Sequence, residues 1–100
     1  MNRHGLKMPK DKIADFCRRH HIRKLSLFGS ILRDDFKSES DVDVLVEFEP
    51  GHVPGFAFFA MERELSQILG QKVELHTPGF LSPYIREKVL AAAETQYEQP

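Results

Sequence analysis

Apolar residues recur along this chain with two alternating periods. From Asp11 to His20 the positions Ile13, Phe16 and Cys17 fall at i, i+3 and i+4, one stripe of a helix entered after Pro9. Lys24 to Phe28 is short, with Leu25 and Leu27 on one face. It predicts a strand that Gly29 and Ser30 end abruptly. Ser30 to Phe36 is expected to make a short helix, followed by a polar loop from Lys37 to Ser40. Asp41 to Phe48 is the clearest strand. Val42, Val44, Val46 and Phe48 share one face, and Asp41, Asp43, Leu45 and Glu47 the other. Pro50, Gly51, Pro54 and Gly55 mark a loop. Phe56 to Leu69 predicts a helix with Phe58, Met61, Leu65 and Ile68 on one side and Gly70 as its stop. Of Phe56, Phe58 and Phe59, one or two should be core, leaving the remainder for a partner or dimer patch. Lys72 to Thr77 alternates again, with Val73 and Leu75 inward. Ser82 as N-cap and Pro83 as first residue open a last helix, whose buried side is expected to be Ile85, Val89 and Ala92.

This order predicts an α+β fold, a small mixed β-sheet with helices packed mainly on one face. The other face carries carboxylates and cannot be plain core. Neither a repeat nor a linker divides the chain, so one domain over residues 1–100 is expected, with 1–8 and 95–100 frayed. With 41% apolar and 29% charged residues the composition is that of a soluble globular protein with a modest core. No apolar run approaches the roughly 20 residues of a membrane helix, and no hydrophobic stretch follows the charges of Met1 to Lys10. Cys17 is alone, which excludes an internal disulfide and a multi-cysteine metal site. The expected location is the cytoplasm. Residues 1–24 carry a balance of +6 and the other 76 a balance of −7. Phe16 is the one aromatic among the basic residues, so they read as a solvated first helix on an acidic body. A nucleic-acid arm is not expected.

Gly29-Ser30, ten residues, then Asp41-Val42-Asp43 is the arrangement with chemistry in it. Carboxylates at i and i+2 on a strand project from one face, roughly 6.5–7 Å apart along the backbone. Such a pair needs a counter-charge, and Mg²⁺ supplies one while keeping positions for water and phosphate oxygens. Two ions about 3.5–4 Å apart can clamp an in-line displacement. Glu74, on the polar face of the 72–77 strand, is the candidate third carboxylate. Gly29 lets backbone approach phosphate oxygens, and its neighbouring N–H groups and the Ser30 hydroxyl can donate to them. Arg33, one helical turn after Ser30, can reach a phosphate. The alternatives are a helix cap for Ser30, an ion pair of Arg33 with Asp34 or Asp35, and a surface position for Glu74. His20 and His21 read as exposed or half-buried. His76 shares a face with Glu74 and reads as a satisfied polar contact.

The run from Leu27 to Asp34, with Gly29-Ser30, followed by Ser40-Asp41-Val42-Asp43 and the run to Phe48, resembles the minimal nucleotidyltransferase family. That family lies within the DNA polymerase β-like nucleotidyltransferase superfamily. Its four fixed residues would match by chance at about 10⁻⁵ per position. The resemblance spans almost the whole chain, including Leu81 to Arg86. It implies that Gly29 and Ser30 hold the triphosphate of ATP. Asp41 and Asp43 would bind both Mg²⁺ ions, with Glu74 where the family usually has aspartate. Asp34 departs from a usual glycine. The resemblance also implies a protein acceptor, a HEPN-domain RNase toxin that the domain, as antitoxin, silences by adenylylation. Nothing follows the catalytic elements to bind an acceptor, so a partner protein would present it. Two other functions remain: a non-catalytic antitoxin acting by occlusion, and a small-molecule nucleotidyltransferase. A homo-oligomer is a further possibility.

Overall fold

The computed structural model describes residues 6–34, 36–37 and 39–100. Helix α1, Lys10–Arg19, buries Ile13, Phe16 and Cys17, the residues whose spacing predicted it. The chain then passes through His21, at φ 56°, into strand β1, Ile22–Phe28. A 3₁₀ turn at Gly29–Leu32 and a loop lead to β2, Val42–Phe48. Helix α2, Ala57–Leu69, ends at Gly70, whose left-handed φ of 67° suits glycine. Strand β3, Val73–His76, a 3₁₀ turn at Pro78–Phe80, helix α3, Pro83–Ala92, and strand β4, Glu94–Glu98, complete the order.

The four strands form one mixed sheet in the order β3-β2-β1-β4. β1 is antiparallel to β2 and β4, and β2 is parallel to β3. The parallel pair follows from the crossover through α2. One sheet face contributes Leu25, Leu27, Val42, Val44, Val46, Val73 and Leu75 to the core, against α1 and Met61, Leu65 and Leu69 of α2. Burying each such side chain stabilises the fold by about 1.5–3 kcal/mol. The fold is the α+β arrangement expected. Phe58 packs against the core, while Phe56 and Phe59 stay exposed. Arg19 and His20 both pair with Glu64, tying α1 to α2.

β3 is an edge strand, and α2 closes its edge. The Val73 N–H donates to Ser66 Oγ at 2.9 Å, and the Leu75 N–H to Glu62 Oε2 at 2.8 Å. Ser66 Oγ in turn donates to the Glu62 carbonyl oxygen at 2.8 Å. The outward N–H groups of the strand therefore have partners within the chain.

Four expectations change. Residues 30–36 do not form an α-helix: the turn stops at Leu32, and Arg33 is extended, at φ −120° and ψ 168°. The buried Ile31 pins the turn, and Phe36 turns back onto the core. Asp35 lies outside the described residues. Helix α3 has no buried residue, and Ile85 is 47% exposed. The segment 95–100, expected to fray, supplies most of β4, because β1 has a second edge whose backbone groups need partners. At the other end Leu6 and Met8 are buried, and residues 1–5 lie outside the described set. No helix among the described residues is long and apolar enough to cross a membrane.

Two predictions follow from this packing. Ser66→Ala should lower stability by about 1 kcal/mol and Glu62→Ala by about 2 kcal/mol, because each leaves a β3 N–H unpaired. Urea unfolding should show reduced midpoints at constant slope, and unchanged midpoints would refute the edge assignment. Burial pushes the Cys17 thiol up to about 12, against the lowering effect of Arg18. Iodoacetamide at pH 8 should therefore spare native Cys17 and modify it in urea, and rapid native labelling would contradict the assignment.

Candidate active site

Register builds the site. Phe28 faces Asp43 across β1 and β2, and Asp43 faces Glu74 across β2 and β3. Residues opposite one another share a sheet face, so these three form a row on the side away from the core. The next row runs Ser26, Leu45, His76. His76, two residues after Glu74, returns to the same face. Its Nε2 lies 3.2 Å from Asp43 Oδ1 and 3.6 Å from Glu74 Oε1. Its ring meets Phe28 edge-on, with centroids 5.0 Å apart. Asp43, Glu74 and His76 each offer one ligand atom, all within 4.8 Å of one another. The Asp43 and His76 side chains are 27% and 24% exposed, and Glu74 is 54% exposed, so Glu74 is the open member. The hydrogen bond that Asp43 accepts from the imidazole raises the His76 pKa above its ordinary value; burial opposes this, and the charges of Asp43, Glu74 and Glu62 add to it.

Gly29 closes the row from the β1 side. It follows Phe28 directly and adopts φ +79°. A Cβ placed on it would overlap Asp43 Oδ2 and lie 3.3 Å from Asp43 Cγ. Two independent facts therefore demand glycine: the left-handed backbone and the carboxylate against it. Ser30 continues the turn and is half-buried, and its carbonyl oxygen accepts from the Arg33 N–H at 2.9 Å.

The site residues read from the sequence divide into those the structure groups and those it sets apart. Gly29, Asp43 and Glu74 come together. Asp41 does not join the cluster of three. It precedes the first β2–β3 pair, Val42 with Val73, and its Oδ2 lies 4.0 Å from Lys72 Nζ. Arg33 reaches the neighbourhood from extended backbone rather than from a helical turn. It lines an open cleft of about 350 Å³ with Phe28, Gly29, Ile85, Lys88, Val89 and Ala92. His76 makes the polar contact expected of it, and the partner is the central carboxylate. Its place in the cluster was readable in the shared face with Glu74. Lys88 was missed because α3 reads as a helix with a buried side. His20 pairs with Glu64, and His21 stacks on His52 at 3.9 Å, outside this cluster.

Two carboxylates with an imidazole suit a divalent cation, the oxygens for a hard ion and the nitrogen for a borderline one. The donor set therefore fits a metal at Asp43 and Glu74.

Residues 10–94 match the family described as the nucleotidyltransferase domain. The chain is 37% identical over 73 residues to the protein adenylyltransferase MntA of Thermococcus cleftensis, covering 72% of each chain. Its fold resembles a chain in a crystal structure of a toxin–antitoxin with AMP-PNP, at a TM-score of 0.73 and 19% identity, over 92% of this chain and 75% of that one. It also resembles a chain in the complex of tri-AMPylated Shewanella oneidensis HEPN toxin with MNT antitoxin, at a TM-score of 0.64 and 20% identity, over 90% of this chain and 70% of that one. At these identities the two structural likenesses concern fold alone. The chain belongs to the nucleotidyltransferase domain family.

The Gly29 arrangement makes a prediction with an internal control. Gly51 also has a left-handed φ, +81°, but nothing lies within 4 Å of a Cβ there. Gly29→Ala and Gly51→Ala should each lose about 1–2 kcal/mol to backbone strain, with a further loss in Gly29→Ala from the displaced carboxylate. The His76 ring resonances, which report its bond to Asp43, should shift in Gly29→Ala alone. Equal losses with unmoved His76 signals would refute the apposition.

Proposed function

We propose that this chain transfers AMP from ATP to a hydroxyl of a protein partner, and that the partner is a HEPN-type toxin silenced by the transfer. The observation that carries this reading is the Asp43 carboxylate held between Gly29 and Glu74. A carboxylate pair there stands beside a turn whose backbone a phosphate can approach. The MntA relative's name, the toxin–antitoxin solved with AMP-PNP and the AMPylated HEPN toxin complex support the choice of nucleotide and partner. The lone cysteine fits work in the cytoplasm.

Gly29 and Ser30 hold the triphosphate, the first by giving backbone access and the second by donating its hydroxyl. Asp41, Asp43 and Glu74 would hold two Mg²⁺ ions. Lys72, at 80% exposure and 4.0 Å, holds Asp41 weakly and leaves its carboxylate available. Held by these residues, the metal would supply charge neutralisation to the reacting phosphates. The acceptor oxygen forms a bond to the α-phosphorus, the bond to the bridging oxygen breaks, and pyrophosphate leaves. The hydroxyl proton passes to Glu74, the most exposed member of the cluster.

One observation favours a second reading, neutralisation by occlusion. His76 lies within 3.6 Å of both carboxylates and, when protonated, offers them a counter-charge from within the chain. The departures at Glu74 and Asp34 point the same way.

Incubating the chain with α-labelled ATP, Mg²⁺ and the HEPN protein separates the two. AMP transfer should label the toxin, and Asp43→Asn should reduce labelling by at least about 100-fold. A stable complex without label would establish occlusion instead.

A further inference from the structure

The cleft between the Gly29 turn and α3 has a charge pattern unlike the acidic part of the chain that builds it. Beyond residue 24 the chain carries thirteen acidic and six basic residues, yet the residues lining this cleft include no carboxylate and two cations, Arg33 and Lys88. The α3 wall is ordered by spacing. Ile85, Lys88, Val89 and Ala92 fall at i, i+3, i+4 and i+7, one stripe of the helix. That stripe normally turns into the core, but α3 buries none of its residues.

The helix is fixed in this orientation from its other side. Arg86 donates from Nε to the Pro78 carbonyl oxygen at 2.8 Å and from Nη2 to the Leu81 carbonyl oxygen at 2.9 Å. Ser82 Oγ accepts from the Tyr84 N–H at 3.3 Å. Arg86 is thus committed to the loop before α3, whereas exposed Lys88 makes no ion pair among the described residues. An apolar wall with a cation beside it, opening onto a turn of bare backbone, matches a ligand with a flat apolar part and an anionic part.

We propose that Lys88 is a nucleotide-binding residue, taking phosphate oxygens of the nucleoside triphosphate from the α3 wall while Ile85 and Val89 face the nucleoside. The inference rests on the nucleotidyltransferase reading above and adds a residue outside the Gly29 to Asp43 segment. Lysine suits the role as a mobile point charge on a long apolar stem.

Calorimetric titration of the full chain with a non-hydrolysable ATP analogue and Mg²⁺ tests it. Lys88→Glu should raise the triphosphate Kd by about tenfold or more, with Lys88→Arg close to the parent chain. AMP, which lacks the outer phosphates, should lose less affinity than the triphosphate analogue. Urea midpoints of both variants should match the parent, since the side chain is exposed. Unchanged triphosphate affinity in Lys88→Glu, with the parent chain binding normally, would overturn the Lys88 assignment and leave the enzymatic reading intact. Absence of binding by the parent chain would overturn both. Weaker capture of the HEPN protein by Lys88→Glu, at unchanged nucleotide affinity, would give the cleft to the protein partner and overturn the inference.

Discussion

The carboxylate of Asp43 lies against the side of Gly29 where any other residue carries its Cβ, and the β1–β2 register puts it there. Glu74 stands on its other flank through the parallel β2–β3 register. Two carboxylates with oxygens within 4.8 Å of one another repel, the more so for the half-buried one. That repulsion opposes the pairing that creates it, so the row needs both a counter-charge and a rigid frame. His76 contributes the first when protonated, and its hydrogen bond with Asp43 is the main cause of its raised pKa. The valines of β2, buried on the opposite face, contribute the second. A one-residue slip between β2 and β3 would send Glu74 toward the core and bring Leu75 out. Site geometry and core packing are therefore set by the same register.

Much of this was legible in the chain because period 2 assigns faces without ambiguity. The alternation at 41–48 and 72–77 put Asp43 and Glu74 on polar faces, and the α2 stripe with Gly70 placed a helix between the two strands. Alternation does not say where a ladder begins. Asp41 shares Asp43's face in the pattern, but it precedes the first β2–β3 pair and stands beside Lys72. β4 was illegible for a different reason. Its sequence, Glu-Thr-Gln-Tyr-Glu, has no buried residue, and its pairing is determined by the edge that β1 presents. Helix α3 misled because amphipathic spacing shows that a face will be covered or used, without saying by what.

The two sheet edges are managed by different means. At β3 the outward N–H groups go to Ser66 and Glu62, side chains that a helix repeat places one turn apart on α2. At β4 the strand begins and ends with glutamate, and charge discourages pairing with another chain. The difference suits the positions. β3 bears Glu74 and His76 and must hold its register, whereas β4 lies at the opposite edge, with β2 and β1 between them.

Helix α3 brings these arguments together. A domain of 100 residues has little apolar surface to spare, and leaving Ile85 and Val89 out of the core forgoes stabilisation of about 1.5–3 kcal/mol for each side chain that could have been fully buried. The helix is held instead by Arg86 and Ser82 at its start and by the pairing of β4 immediately after it. Polar anchors at both ends fix a helix without using its apolar stripe. That stripe then becomes a wall beside Gly29 at which a ligand can recover the burial the fold leaves unused.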